Sequence, residues 1–179
     1  MFKAAFTLSA TFFFAAALTT GFAQETKKKT PLSPPAETSI TVDGKRISIN
    51  YSAPSMRGRQ IFGGLEQYGK VWRTGANAAT TLKTEADLDL NGLAVPKGEY
   101  TLYTLLDPKQ WMLVVNKQTG QWGTEYSQGQ DLGRVKMTMS KPQAPVETFK
   151  ISLTSEGANK GKIAIMWENT VASVPFTVK

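Results

Sequence analysis

Cysteine and histidine are both absent from this chain of 179 residues. Without cysteine there is no disulfide, no thiol nucleophile and no lipid-modified N-terminal cysteine. Without histidine there is no Ser-His-Asp catalysis, and the joint absence removes nearly all known types of zinc site. The fold must therefore be stabilised by its hydrophobic core alone.

The usual motifs of enzymes are also missing. The chain has neither the G-x-S-x-G nor the S-x-x-K nucleophile pattern, and it has no G-x-G-x-x-G or phosphate-binding loop. Acid–base chemistry would need two carboxylates across one cleft, for which Glu125 and Asp131 are the best candidates. The sequence thus favours a non-catalytic protein with no cofactor and assigns no catalytic residue.

The first 23 residues have the features of a cleaved secretory signal. One charge, Lys3, precedes an apolar stretch from Ala4 to Leu18, and the small residues Gly21 and Ala23 follow at the −3 and −1 positions. The apolar stretch is short for a span of about 20 residues. We therefore expect removal of residues 1–23, a periplasmic or secreted protein, and no transmembrane span after cleavage.

A polar, Pro-rich arm over residues 24–35 is predicted to connect the signal to the remaining chain. Lys27, Lys28 and Lys29 in this arm contribute to a net charge of +7, so the basic balance is partly a property of the arm. It is weak support for nucleic-acid binding, and no nucleic-acid partner is predicted. Residues 36–179 are predicted to form a single domain.

This domain reads as β-structure throughout. Apolar residues alternate with polar ones in many short runs, and Asp43-Gly44 and Asn91-Gly92 are typical of hairpin turns. The only predicted helix is one turn over residues 64–68. The pattern predicts an all-β, antiparallel two-sheet β-sandwich, jelly-roll-like, of about ten short strands, with Trp111 and Trp167 in its core.

Residues 87–92, Asp-Leu-Asp-Leu-Asn-Gly, match the first half of a calcium-binding loop. The twelfth position of such a loop supplies a bidentate acid, and here it is Gly98. Leu88 and Leu90 alternate with polar residues as in a strand. We therefore predict a hairpin here and no metal site.

The densest polar chemistry lies between Tyr51 and Asn77, where a long loop is predicted over residues 53–69. The candidate ligand-binding residues in this segment are Arg57, Arg59, Tyr68, Trp72, Arg73 and Asn77. Arginine recognises carboxylates and phosphates and stacks on aromatic rings, but it also anchors loops to backbone carbonyls. We expect the anchoring role for Arg73 and the binding role for Arg57 and Arg59. In strand alternation, Trp72 and Arg73 should point to opposite faces.

A second candidate cluster contains Trp122, Glu125 and Tyr126. A tryptophan flanked by glycines in a loop is suited to stacking on a sugar ring, with polar neighbours holding the hydroxyls. The alternative is a tryptophan that covers one end of the sandwich. The sequence leaves both open.

Several strings of residues resemble the bacterial "domain of unknown function 2911" family. They are residues 51–65, 68–80 with Trp-Arg-Thr-Gly-Ala-Asn, 96–103, 116–117, 121–123 and the ending around Trp167 and Pro175. The resemblance implies an exported protein and no established activity, so it supplies no catalytic residues. Ala53 and Ala78 stand where relatives often have Arg and Glu.

These observations favour an exported non-catalytic binding or accessory module of the cell envelope that recognises a carbohydrate or another polar ligand. One alternative is a carboxylate-dependent glycan hydrolase. The other is a structural envelope protein that binds other proteins. An aromatic platform beside open polar groups would favour the first, and paired carboxylates the second. A large exposed apolar patch would favour the third.

Overall fold

The computed structural model describes Met1 and residues 31–179. The signal predicted over residues 1–23, apart from Met1, and the arm up to residue 30 lie outside the described residues. The described part of the chain contains no helix long and apolar enough to span a bilayer.

Thirteen strands and one short 3-10 helix, Gln128–Gln130, form within residues 31–179. The strands are β1 Pro35–Val42, β2 Lys45–Ser52, β3 Val71–Trp72, β4 Thr80–Thr84, β5 Leu88–Leu90, β6 Leu93–Val95, β7 Gly98–Leu105, β8 Met112–Asn116, β9 Asp131–Lys136, β10 Thr138–Ser140, β11 Val146–Ser155, β12 Lys160–Glu168 and β13 Thr170–Val178. The helical turn predicted over residues 64–68 is wrong. Tight turns replace it, in which the Gly63 amide donates to Glu66 O.

The described strands form two antiparallel sheets, which confirms the predicted sandwich. The first has the order β1-β2-β4-β7-β8-β9, with β3 also paired to β7, and the second has the order β11-β12-β13-β5-β6, with β10 paired to β13. The segment around residues 134–139, which its sequence alone would suggest to be one strand, belongs to two strands. The chain changes sheets at the buried Met137, whose amide donates to Trp111 O, so β9 and β10 have different partners.

Both predicted hairpins are confirmed. Asp43 and Gly44 have φ of 50° and 70°, and Asn91 and Gly92 have φ of 50° and 94°, so both turns place two residues in the left-handed region. In the second hairpin, Asp89 Oδ1 accepts a hydrogen bond of 2.7 Å from the Gly92 amide. The calcium-like residues thus form the β5–β6 hairpin, as expected.

A cluster of aromatic rings fills the space between the sheets at one end. Trp72 lies 5.1 Å from Phe149 and 5.8 Å from Trp167 between ring centroids, and Phe62 packs edge-on against Trp72 at 5.9 Å. Trp111 and Trp167 are each about as buried as Trp72. Their predicted place in the core is confirmed.

The outer face of the first sheet carries a second, smaller core. Residues 117–130, here called the flap, fold over this face, and Tyr126 packs on Tyr103 with ring centroids 4.9 Å apart. Gln121 donates from Nε2 to Tyr103 Oη at 2.9 Å and to Thr101 Oγ1 at 3.2 Å. The flap is therefore held by specific bonds and brings Trp122 to a fixed position.

Candidate functional site

The loop of residues 53–69, here called the Arg-rich loop, is anchored by two carboxylates from the second sheet. Glu147 Oε1 accepts a bond of 2.8 Å from the Arg57 amide. The two oxygens of Glu168 accept from the amides of Ile61 and Phe62 at 3.2 and 3.3 Å. Because Ile61 and Phe62 are also buried in the main core, the middle of this long loop has a fixed conformation.

The loop of residues 73–79 is fixed by buried hydroxyl groups. Thr74 Oγ1 and Thr104 Oγ1 are 2.8 Å apart, and Thr80 Oγ1 donates to Thr74 O at 2.7 Å. The indole nitrogen of Trp72 donates to Gly75 O at 3.1 Å. An ideal Cβ at Gly75 would lie 3.0 Å from Ser52 O, so this close passage of the chain needs glycine.

Several residues in and beside these loops have backbone conformations that L-residues rarely adopt. Arg57, Thr74, Asn77 and Glu168 have φ between 51° and 59°, in the left-handed region. Such conformations cost of order 1–3 kcal/mol each and persist where the surroundings enforce them, which is common at functional sites.

The two loops enclose a cleft of about 320 Å³ at one end of the sandwich. The residues on which its chemistry depends are Leu32, Arg59, Leu65, Glu66, Arg73 and Asn77. We call it the end cleft. It combines two guanidinium groups, one carboxyl group and one amide with apolar side chains, the mixture typical of small-ligand sites.

Arg73 is the unusual side chain of the end cleft. Trp72, the last residue of β3, points into the core, where it is 2% exposed, and Arg73 follows directly after the strand and is only partly buried. The stem of Arg73 packs against Gly123 of the flap, where an ideal Cβ would lie only 2.0 Å from Arg73 Cδ. Arg73 Nε is buried without an acceptor among the described residues. Leaving such a donor unpaired costs free energy, and native structures seldom do so.

Glu66 is the one carboxyl group that lines the end cleft within the described residues. Burial raises the pKa of the Glu66 carboxyl above its ordinary value, and the positive charge of Arg73 partly offsets the increase. The carboxyl group therefore binds a proton more tightly in the folded protein than in the unfolded chain.

This pKa predicts a pH dependence of stability. The free energy of unfolding should fall as pH rises from the unfolded-chain pKa of Glu66 through its raised folded pKa, and then level off. Glu66→Gln lacks this contribution, so its stability relative to the original protein should increase across the same range. Urea unfolding at several pH values from about 4 to 7 measures the difference. A difference that does not change with pH would contradict the burial of this carboxyl group.

The hydrogen bonds of the arginines differ from those expected from the sequence. Arg59 donates from Nε to Met56 O at 2.9 Å and from Nη2 to Ser55 O at 2.8 Å. Arg57 donates from Nη2 to Leu32 O at 2.7 Å. These two side chains, expected to bind ligand, anchor the backbone, although both are exposed. Arg73, expected to be the anchor, has the unpaired donor.

Of the other candidates in this segment, Asn77 lines the end cleft and Tyr68 lies exposed on the Arg-rich loop. Asn77 also donates from Nδ2 to Ser52 Oγ at 3.3 Å. Trp72 was also predicted to contact a ligand, but its side chain is buried. Its ring lies inside the aromatic cluster, so its contribution is to hold the 73–79 loop through Gly75.

The second predicted cluster adjoins the end cleft without lining it. The Gly123 amide donates to Asn77 O at 3.1 Å, and Trp122 forms an isolated β-bridge with Ala78. Trp122 is 54% exposed and Glu125 is also exposed. Trp122 therefore stands beside the loop that forms one wall of the cleft, where its ring face is open to solvent.

Tyr126 and Asp131 belong to a polar network under the flap. Tyr126 donates from Oη to Asp131 Oδ2 at 2.8 Å, and Arg134 forms an ion pair with the same oxygen at 2.7 Å. Burial and the bond to Asp131 raise the pKa of Tyr126 to about 12. Asp131 also accepts from Asn116 Nδ2, so its oxygens are occupied and it does not pair with Glu125.

A second depression, of about 470 Å³, lies between the β5–β6 hairpin and β8–β9. It is lined by Leu93, Met112 and Arg134 among others. None of its described polar side-chain atoms is buried without a partner. Groups of three or more acidic side chains that could hold a metal ion are also absent from the described residues. The end cleft is therefore the stronger candidate.

Comparison with known protein families returns one match. A family model described as "Protein of unknown function (DUF2911)" matches residues 33–176. The chain belongs to this family. Comparisons with curated proteins and with solved structures gave no significant match.

The match to DUF2911 covers both loops of the end cleft and the flap. Ala53 and Ala78, where the resemblance led us to expect Arg and Glu, lie within the two loops of the end cleft. Ala53 is buried and its amide donates to Pro34 O at 2.9 Å, whereas Ala78 is exposed beside Trp122. Because alanine carries no charge, neither position supplies a charged partner for the arginines.

Sequence reasoning missed several residues that shape the end cleft. Glu147 and Glu168 looked like ordinary polar positions at strand ends, and Glu66 was one acid in a Gly-rich loop. Leu32 lay in the segment predicted to be a linker. Their roles follow from contacts between distant parts of the chain, for which the local pattern has no signal.

Proposed function

We propose that this protein is an exported, non-catalytic binding module of the cell envelope that holds a carbohydrate or another polar ligand in the end cleft. The signal-like segment of residues 1–23 supports export to the periplasm or the exterior. The single observation that carries the binding proposal is Arg73, which lines a ligand-sized cleft and makes no side-chain hydrogen bond to the described residues. A ligand oxygen would supply an acceptor for its terminal Nη groups.

The exposed apolar side chains support the same site. Apart from Met1, the large hydrophobic residues that are exposed in the described chain are Leu32, Leu65, Tyr68 and Trp122. Leu32 and Leu65 line the cleft, Tyr68 contacts the same loop at Gly63, and Trp122 directly precedes Gly123, the flap residue that packs against Arg73. Such side chains cover the apolar faces of sugars, while the arginine, glutamate and asparagine form hydrogen bonds with the hydroxyls.

The distribution of carboxylates supports binding over hydrolysis. Hydrolysis of a glycosidic bond by carboxylates needs an acid and a second carboxylate on opposite sides of the bond. Among the described residues that line the end cleft, Glu66 is the one carboxyl group. Of the pair singled out from the sequence, Asp131 is bound to Arg134 and Glu125 is exposed on the flap.

A binding screen with matched variants tests the proposal. The purified protein is titrated by calorimetry with soluble oligosaccharides, sugar acids and short peptides. We expect at least one to bind, and Arg73→Gln to weaken that binding about tenfold or more, since a bond from a charged donor contributes roughly 1.5–3 kcal/mol. Arg46→Gln is the matched control, because Arg46 is exposed and paired with Glu37 on the β1–β2 hairpin.

Three outcomes would contradict the proposal. One is that no compound in the screen binds, and another is that binding is unchanged by Arg73→Gln. The third is release of new reducing ends from a bound oligosaccharide, which would favour the glycan hydrolase. Capture of an envelope protein through Leu65 and Tyr68, with no small ligand bound, would instead favour the structural alternative.

A further inference from the structure

The arginines of this chain divide into two groups by their partners. The sequence contains five, Arg46, Arg57, Arg59, Arg73 and Arg134. Arg46 and Arg134 form ion pairs with Glu37 and Asp131. The other three form no ion pair with any described carboxylate, and all three belong to the two loops of the end cleft. These three arginines therefore have no direct ion-pair partner, although the carboxylates of Glu66, Glu147 and Glu168 lie at the same end.

The three arginines differ in how many of their guanidinium nitrogens donate hydrogen bonds to the protein. Arg59 already uses Nε and Nη2 on two carbonyls, and Arg57 uses Nη2 on one. Arg73 makes no side-chain hydrogen bond to the described residues, and its stem packs against Gly123. Arg73 thus presents a positioned, unused fork of donors, and Arg59 adds positive charge beside it.

We infer that the ligand of the end cleft carries a carboxylate group that binds the guanidinium of Arg73, and that this ligand is an acidic saccharide. This inference rests on the proposed function and specifies its ligand. A planar carboxylate can accept two parallel hydrogen bonds from the two terminal nitrogens of an arginine side chain. With Glu66 in the same cleft, a singly charged group meets less repulsion than a doubly charged phosphate.

The remaining polar groups favour a saccharide as the carrier of the carboxylate. Glu66 presents carboxyl oxygens, and the amide oxygen of Asn77 accepts no hydrogen bond from the described residues. Sugar hydroxyls can donate to both acceptors while the carboxylate accepts from Arg73. Leu32 and Leu65, which are 67% and 47% exposed, would then cover the apolar face of the ring.

The test uses oligosaccharides that differ only at the carboxyl group. A set of uronic-acid oligosaccharides is titrated against the purified protein beside their methyl esters and their reduced, neutral forms. We expect a free uronic acid to bind, its ester and neutral form to bind at least tenfold more weakly, and the affinity to fall with added salt. Inorganic phosphate and tripeptides with a free C-terminal carboxylate are further arms.

Variants separate the contribution of the fork from that of charge alone. Arg73→Lys keeps the charge but loses the fork, so it should weaken binding of the uronic acid several-fold, and Arg73→Gln more so. Glu66→Gln removes a like charge and should increase the affinity for the acid relative to that for its ester. Arg46→Gln should leave all affinities unchanged.

The outcomes distinguish this inference from the proposed function. Equal binding of the acid and its ester, with loss on Arg73→Gln, would overturn the carboxylate and leave the proposed function standing. Binding of the tripeptide or of phosphate in place of every uronic acid would overturn the acidic saccharide. Absence of binding by every saccharide, acidic or neutral, and by every other compound would overturn both.

Discussion

Trp72→Ala is expected to lower the free energy of unfolding by about 3–5 kcal/mol, as typical for removal of a large core side chain. The substitution empties the centre of the aromatic cluster, where Trp72 contacts Phe149 and Trp167. It also removes the bond that holds Gly75 O, so the 73–79 loop loses an anchor. Urea unfolding followed by circular dichroism measures the change.

Trp122→Ala is the matched control for that experiment. Trp122 is 54% exposed, so its removal should change the free energy of unfolding by no more than about 0.5 kcal/mol. If Trp72→Ala does not fold, Trp72→Phe retains part of the ring and should show a smaller loss. Equal effects of Trp72→Ala and Trp122→Ala would show that the aromatic cluster is not the core described here.

Gly123→Ala is expected to have the second largest effect, a loss of about 1–3 kcal/mol from overpacking. A Cβ at this position would lie 2.0 Å from Arg73 Cδ and 2.7 Å from the backbone oxygen of Asn77. The side chain of Arg73 can move, but the backbone oxygen cannot move without disturbing the 73–79 loop. The same variant should therefore also weaken ligand binding in the end cleft.

Gly129→Ala is the control for Gly123→Ala. It lies in the same flap, has no positive φ, and an added Cβ there would meet nothing within 4 Å. We expect it to leave thermal unfolding and ligand binding unchanged. A loss of stability of similar size in both variants would mean that the flap, rather than its contact with Arg73, is sensitive to substitution.

Features of the fold that depend on neighbouring residues were predictable from the sequence. Alternation predicted that Trp72 and Arg73 point to opposite faces but not which of them is buried, and the Asn91-Gly92 pair predicted its hairpin correctly. The division of residues 134–139 between two sheets was not predictable. An apolar residue at position 137 would fit both one continuous strand and a change of sheet. Only the pairing with distant strands determines that the chain changes sheets there.

The end cleft was predictable only in part, for a physical reason. Composition and loop length identified the segment that contains Arg59, Arg73 and Asn77. The sequence could not assign the roles of the two arginines. An arginine that donates to backbone carbonyls and one that lacks an acceptor can have the same neighbours in sequence. The distinction depends on which oxygens approach each guanidinium, and Ser55, Met56 and Leu32 supply those oxygens through the shape of the folded loop.

The carboxylates that anchor the Arg-rich loop also determine when the end cleft can form during folding. Glu147 and Glu168 lie 90 and 107 residues beyond the amides of Arg57 and Ile61 that they accept from. Contacts this distant in sequence carry a high loop-closure entropy and form slowly. Early-formed hairpins such as β1–β2 therefore precede the cleft. The end cleft is complete only once β11 and β12 have joined the sandwich, so binding of the proposed ligand would report on completed folding.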